Sequence, residues 1–152
     1  MRRKILLIDD SPRIHQLVLA ALAEELVVIG SAFDGEAGIK LAVASNPDLI
    51  LLDVEMPGID GFEVFKRLNA DLRLKGVPVV FLTALSASQQ KVQGLDIGGA
   101  DYITKPFDPD EFAARIRATL RSKAKVDSIR SERVNEFIRD SVSQRRARPL
   151  NS

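Results

Sequence analysis

Residues 48–53 have the sequence Asp-Leu-Ile-Leu-Leu-Asp, and Met56-Pro57-Gly58 follows after two further residues. A run that is apolar at nearly every position is typical of a strand buried on both faces of a parallel sheet. Asp53 stands where this run breaks into a turn, so its carboxylate is expected at the mouth of the sheet. The stretch therefore predicts a parallel sheet with an acidic group at its edge.

The same arrangement occurs near the N-terminus, where the run 4–8 is followed by Asp9-Asp10. Three carboxylates, those of Asp9, Asp10 and Asp53, are thus expected at strand ends, where they repel one another. A hard cation with oxygen ligands relieves such repulsion, and for a few carboxylates plus water that cation is Mg²⁺. A divalent ion would in turn attract phosphate.

Strand-like and helical segments alternate along the chain. The strand-like runs lie at 4–8, 26–33, 48–53, 77–83 and 100–104. Helices are expected between and after them. The first begins at Ser11-Pro12, and the next three span about 35–45, about 60–72 and about 86 to Gly98-Gly99. The fifth begins at Asp108. Five strands alternating with five helices predict right-handed crossovers and a parallel sheet covered on both faces, with ligands at its carboxyl edge.

The apolar spacing also predicts which helical residues are buried. The first helix is expected to bury Ile14, Leu17, Val18, Ala21 and Leu22, and the third Phe62, Phe65 and Leu68. His15, the single histidine of the chain, is expected on the opposite side of the first helix from Val18 and Leu22. It is therefore predicted to be a solvated side chain and not a phosphate carrier.

Composition excludes several classes of protein. The chain has 152 residues, 45% of them hydrophobic, with no cysteine and one histidine, so disulfide frameworks, thiolate sites and multi-histidine metal cages are excluded. No apolar stretch approaches ~20 residues, and the apolar run after the basic start is too short for a signal peptide. We expect a soluble cytoplasmic protein without a membrane partner. Nucleotide binding through a glycine-rich loop is not expected, because no such loop follows a strand.

Charge divides the chain into two parts. Residues 1–114 carry 11 Lys/Arg and 17 Asp/Glu, whereas residues 115–152 carry 11 and 4. An acidic body followed by a basic tail indicates that the two parts should be considered separately.

Two further polar residues stand at strand ends, Thr83 after the fourth run and Lys105 after the fifth. With Asp9, Asp10 and Asp53, they resemble the receiver domain of response regulators in two-component signalling. The resemblance covers about residues 3–122 and includes the pattern Asp-x-x-Met-Pro-Gly-x-Asp-Gly from Asp53 and Lys-Pro-Phe from Lys105. It implies a doubly wound (βα)5 fold with the flavodoxin-like strand order 2-1-3-4-5, and a receiver domain at 1–122.

The resemblance also assigns roles at the acidic edge. Asp53 would accept a phosphoryl group from the phosphohistidine of a sensor histidine kinase or phosphotransfer protein. Mg²⁺ would be held by Asp9, Asp10, Asp53 and the backbone carbonyl of Glu55, and Lys105 would contact the phosphoryl oxygens. Such a chain is not an enzyme in its own right; at most it phosphorylates itself from small donors and loses the phosphoryl group again.

A switch is implied as well. Thr83 would hydrogen-bond the bound phosphoryl group, and Tyr102 would rotate inward to fill the space that Thr83 vacates. The Lys105-Pro106 bond resembles the cis peptide of the family, which aims the lysine at the site. The signal would leave through the face formed by the fourth helix, fifth strand and fifth helix.

Residues 123–152 match no familiar output module and are expected to form a basic helical extension or linker, with disorder as an alternative at its end. The apolar positions that fall near one helical face are Val126, Ile129, Val134, Phe137, Ile138 and Val142. We expect this extension, together with the face formed by the fourth helix, fifth strand and fifth helix, to support a homodimer. Nucleic-acid binding is not expected, because no aromatic interleaving or recognition motif accompanies the basic charge.

Two alternatives remain open from the sequence. In the first, the chain would be an input segment of a larger regulator, for instance one with a diguanylate cyclase. In the second, it would be a Mg²⁺-dependent phosphatase with an aspartate nucleophile. Phosphatases resembling haloacid dehalogenase place an Asp-x-Asp motif after the first strand, whereas Asp9-Asp10 is adjacent here. The phosphatase is therefore the weaker alternative.

Overall fold

The computed structural model describes residues 2–84 and 101–123. Its centre is a five-stranded parallel sheet with the order β2-β1-β3-β4-β5. The strands are β1 (Arg3–Ile8), β2 (Val27–Ala32), β3 (Leu49–Asp53), β4 (Val79–Thr83) and β5 (Asp101–Thr104). The predicted doubly wound fold and its strand order are confirmed.

Helices connect the strands and follow the last one. They are α1 (Pro12–Ala21), α2 (Gly35–Ser45), α3 (Gly61–Ala70) and a final helix whose described part is 109–123 and is labelled α4. The helix predicted between β4 and β5, and the tail after 123, lie outside the described residues. Of the described residues, those up to Thr119 belong to one compact unit and 120–123 to a second.

Burial in the sheet follows the hydrophobic pattern of the chain. Every residue of β3 and of β4 is buried, as expected for central strands covered on both faces. The edge strand β2 is partly exposed, and its Val28 is 51% accessible. The continuous apolar run 48–53 is thus explained by the central position of its strand.

Capping side chains mark the beginning of each described α-helix. Ser11, Asp34, Asp60 and Asp108 each accept a hydrogen bond from a backbone N–H in the first turn. Such bonds satisfy amides that have no partner within the helix. The helix starts predicted at Ser11-Pro12 and Asp108 are confirmed, and the predicted span 35–45 agrees with α2.

Two expectations about the helices were wrong. The helix predicted to reach residue 72 ends at Ala70, because Asp71 is extended and accepts a hydrogen bond from the Arg73 amide at 2.9 Å, which starts a short 3-10 helix. Leu17 is 42% exposed although it was expected on the buried face of α1. Its position one residue before Val18 places it at the border of the apolar stripe, about 100° from the centre.

Candidate functional site

The carboxyl ends of β1 and β3 are adjacent at the point where the strand order reverses. Asp9 follows β1 and Asp53 ends β3, and the preceding residues Ile8 and Leu52 are paired in register. In open sheets of this type, ligands bind in the crevice at such a point. Carboxylate oxygens of Asp9, Asp10 and Asp53 lie within 4.8 Å of one another, so the structure brings together the three acids singled out in the sequence.

Lys105 follows β5 at the same carboxyl edge and joins this cluster. Its Nζ lies 2.7 Å from Oδ2 of Asp9 and 3.3 Å from Oδ1 of Asp53, and its side chain is only 13% exposed. The Lys105 amide donates a hydrogen bond to the Thr83 carbonyl at 2.6 Å, and the Lys105-Pro106 bond is cis. A single ammonium group therefore bridges two of the three carboxylates.

Asp53 is nearly inaccessible, with 4% of its surface exposed. Its Oδ1 also accepts a hydrogen bond from the Glu55 amide at 3.3 Å. Burial and the neighbouring charge of Asp9 raise the pKa of Asp53 from 3.8 to about 6, although Lys105 and the Glu55 amide act in the opposite direction. The carboxylate is thus ionised at neutral pH, as a nucleophile must be, but its charge is incompletely compensated by the protein.

The other two acids differ in accessibility. Asp9 is fully buried, and its Oδ1 accepts a hydrogen bond from the Ser11 amide at 2.9 Å. Asp10 is exposed. Asp9 would offer a cation a fixed carboxylate, and the exposure of Asp10 leaves the site accessible to water, which suits Mg²⁺ because Mg²⁺ usually keeps several waters.

The turn after β3 is shaped by glycines. Gly58 has φ of +82°, a conformation that favours glycine. A Cβ on Gly61 would lie 2.3 Å from the backbone oxygen of Asp53, and the Gly61 amide donates to the Val54 carbonyl at 2.9 Å. The start of α3 can therefore pack directly on the backbone that carries Asp53, which gives the Asp-Gly pair of the motif a structural reason.

Thr83 and Tyr102 lie on the neighbouring strands β4 and β5. Thr83 ends β4 and is fully buried, and Tyr102 is 8% exposed, with its ring 6.5 Å from that of Phe81. Phe81 and Tyr102 are paired in register. Both proposed switch residues are thus internal, and the tyrosine ring is buried in this structure.

The prediction that His15 is solvated was wrong. His15 is 4% exposed, its Nε2 lies 2.8 Å from the carbonyl oxygen of Asp9, and its ring stacks on Phe33. The sequence contained the signal, because His15 precedes Val18 by three residues and Leu22 by seven, which are spacings of a shared helical face. The end of β2, which had no site residue in the sequence-based prediction, therefore also contributes to this edge.

Fold and site together define a doubly wound domain with an acid cluster at the carboxyl edge of its sheet, and comparison with known proteins identifies the family. The response regulator receiver domain model matches residues 5–117, so the chain belongs to that family. Receiver domains bind Mg²⁺ at a cluster of aspartates, interact with histidine kinases or phosphotransfer proteins, and are in general signalling domains without catalytic turnover.

Individual relatives agree with this identification. The chain is 49% identical to the DNA-binding dual master transcriptional regulator RpaA of Synechocystis over 118 residues, which cover 78% of this chain and 49% of that protein. It is 39% identical to the response regulator PleD of Caulobacter vibrioides over 130 residues, which cover 86% and 29%. The chain thus spans about half or less of these two curated relatives.

A solved structure confirms the fold. The Vibrio cholerae chemotaxis protein CheY4 superimposes with a TM-score of 0.73 at 28% identity, covering 78% of this chain and 99% of that one. Within 2–84 and 101–123, no helix is both long and apolar enough to cross a membrane.

Proposed function

We propose that Asp53 is the phosphoacceptor of this receiver domain and that a histidine kinase or phosphotransfer protein supplies the phosphoryl group. The arrangement around Asp53 carries the proposal. Its carboxylate is grouped with those of Asp9 and Asp10 within 4.8 Å, and the Lys105 ammonium lies 3.3 Å from it. The family match favours a receiver over the phosphatase considered from the sequence.

In the transfer step, an oxygen of the Asp53 carboxylate attacks phosphorus. A phosphorus–oxygen bond forms while the phosphorus–nitrogen bond to the donor histidine breaks, and the leaving imidazole keeps the electron pair and takes up a proton. Lys105 stabilises the negative charge on the phosphoryl oxygens, and it already lies close enough to do so with little movement. The Glu55 amide helps to orient the carboxylate.

The oxygen-rich donor set fits a magnesium ion. Bound Mg²⁺ would be held by Asp9, Asp10, Asp53 and the backbone carbonyl of Glu55, and it would supply positive charge to the phosphoryl oxygens. Burial and then the charge of Asp9 raise the pKa of Asp53 despite the nearby Lys105, so a bound cation would stabilise the ionised carboxylate further.

A protein donor is supported by the surface beside Lys105. Ile14, Leu17 and Phe107 line a mainly apolar recess there. An exposed apolar surface at the rim of a reactive site is suited to cover by a partner protein. This recess would bring the donor histidine to the open side of the acid cluster.

Phosphorylation would then be transmitted through Thr83 and Tyr102. The phosphoryl group can only shift the domain between states for which it has different affinities, so Thr83 would supply the contact that one state makes and the other lacks. The output would be a change in protein contacts, including a homodimer through the C-terminal extension and the face formed by β5, α4 and the helix predicted between β4 and β5. The predicted fourth helix and the apolar stripe of the tail lie outside the described residues.

The relatives also favour a second possibility for the whole protein. Because this chain spans only 49% of RpaA and 29% of PleD, it would be the input segment of a larger regulator whose other domain performs the output. A cytoplasmic location suits either form. Sequencing the gene beyond both ends of this chain distinguishes them.

The phosphoacceptor assignment is tested by incubation with acetyl phosphate and Mg²⁺, followed by intact-mass measurement. Wild-type protein should gain one phosphoryl group, and both EDTA and the substitution Asp53→Asn should prevent the gain. Stoichiometric labelling of Asp53→Asn would refute the assignment. Labelling that EDTA leaves unchanged would refute the role of the metal.

A further inference from the structure

His15 lies on α1, and its side chain is enclosed between β2 and the acid cluster. Its Nε2 lies 2.8 Å from the backbone oxygen of Asp9, and its Nδ1 lies 3.0 Å from Oγ of Ser31. Its ring is stacked on Phe33 with centroids 4.1 Å apart and an interplanar angle of 26°. The imidazole is therefore fixed at both nitrogens and on one face.

The partners determine which nitrogen donates. A carbonyl oxygen only accepts hydrogen bonds, so Nε2 carries a proton and donates it to Asp9. The Ser31 hydroxyl can donate to Nδ1 in the neutral ring or accept from it in the charged ring, so either form is compatible with the Ser31 contact. The contact to Asp9 is thus present in both forms.

This bond completes the immobilisation of Asp9. The Asp9 amide donates to the Ala32 carbonyl at 3.1 Å, and its carboxylate is held by the Ser11 amide and by Lys105. The carbonyl group is held by His15. Because the peptide group is planar, fixing the Asp9 carbonyl also fixes the amide nitrogen of Asp10 and the direction in which Asp10 leaves the strand.

We infer that His15 is a positioning residue for the metal site, acting through the Asp9–Asp10 peptide to aim the exposed carboxylate of Asp10 at the cation. Ser31 and Phe33, from the end of β2 and just after it, hold the imidazole in place. Partners that orient metal ligands without touching the metal commonly change metal affinity when they are removed. The inference rests on the proposed Mg²⁺ site, so its test must examine that site separately.

Two substitutions separate the hydrogen bond from the packing. His15→Phe retains an aromatic ring to stack on Phe33 but lacks the Nε2 donor. His15→Gln places an amide N–H within reach of the Asp9 carbonyl and should restore the contact. The stability of each variant is first measured by urea unfolding in EDTA. Mg²⁺ binding is then compared only among variants that are folded without urea.

Calorimetric titration with MgCl2 then gives the dissociation constant. We expect His15→Phe to weaken Mg²⁺ binding about tenfold and His15→Gln to recover most of the loss. In the metal-free protein, NMR should show altered amide signals for Asp9 and Asp10 in His15→Phe and signals close to wild type in His15→Gln.

Asp10→Ala is the control for the site itself. If wild type binds no Mg²⁺, or if Asp10→Ala binds it equally well, the proposed metal site is wrong. If Asp10→Ala loses binding while folded His15→Phe stays within about twofold of wild type, the metal site stands and the role of His15 is overturned. Equal loss in folded His15→Phe and His15→Gln would also overturn it, because the restored donor would then have no effect.

Discussion

Replacing Asp53 with asparagine should stabilise the metal-free protein, and the gain should depend on pH. Burial and the charge of Asp9 raise the pKa of Asp53 from 3.8 to about 6. The native state therefore holds the Asp53 proton more tightly than the unfolded state between these values. This contribution to stability is fully present below pH 3.8 and is lost as the pH rises through about 6.

The size of the effect follows from the shift. A difference of about two pKa units corresponds to about 3 kcal/mol of stability lost by wild type at neutral pH. Relative to wild type at a pH low enough to protonate Asp53 in both states, the loss of stability is about 3 kcal/mol at pH 7.5 and about 1 kcal/mol at pH 4.5 by linkage. Asp53→Asn has no titrating group at this position, so its advantage over wild type should be about 2 kcal/mol larger at pH 7.5 than at pH 4.5.

Urea unfolding in EDTA, followed by far-UV circular dichroism because the chain has no tryptophan, measures this difference. Comparing the two pH values cancels any pH-independent effect of the amide side chain. Asp71→Asn is the control without a pH difference: the side-chain hydrogen bond from Arg73 lowers the pKa of Asp71 from 3.8, so its contribution to stability changes mainly below both pH values used. An advantage of Asp53→Asn that is independent of pH, or larger at pH 4.5, would refute the electrostatic reasoning. Mg²⁺ should reduce the advantage, since an ion that binds native wild type stabilises it.

Three further predictions concern the surroundings of the site. Gly61→Ala should destabilise the protein by about 1–3 kcal/mol, because the new Cβ would lie 2.3 Å from the Asp53 backbone oxygen; urea unfolding with no loss of stability would contradict this. Thr83→Ala should still accept phosphate but lose the response to it, and beryllofluoride-induced NMR shifts around Tyr102 identical to those of wild type would refute the coupling. The full chain should dimerise more strongly than a version ending at Ser122 when beryllofluoride is added; light scattering that shows only monomers of both at high micromolar concentration would exclude the tail as a dimerisation helix.

The placement of the acids was predictable because the relevant signals are local. A strand covered on both faces gives a continuous apolar run, and the first charged residue after that run must lie at the sheet edge. The run 48–53 and the run before Asp9-Asp10 both follow this rule, and all strands of a parallel sheet present their carboxyl ends on one side. The two acid-bearing strand ends could thus be assigned to one edge before the strand order was known.

The contacts made by Lys105 and His15 depend on distant parts of the chain. Lys105 reaches Asp9 across a separation of 96 residues, and nothing local to either residue encodes that distance. The burial of His15 was locally encoded by its spacing from Val18 and Leu22, but its partners on the second strand were not. Similarly, the early end of α3 depends on Asp71 bonding to the backbone ahead of it, which competes with continuation of the helix.

The phosphoacceptor role of Asp53 is tested most directly by trapping the modified side chain. After treatment with acetyl phosphate and Mg²⁺, borohydride reduces an aspartyl phosphate to homoserine with release of phosphate, and tandem mass spectrometry of the peptides locates the homoserine. Homoserine at position 53 alone, and only in protein that received both acetyl phosphate and Mg²⁺, is the predicted result. Homoserine at Asp9 or Asp10 with residue 53 unchanged would contradict the proposed site.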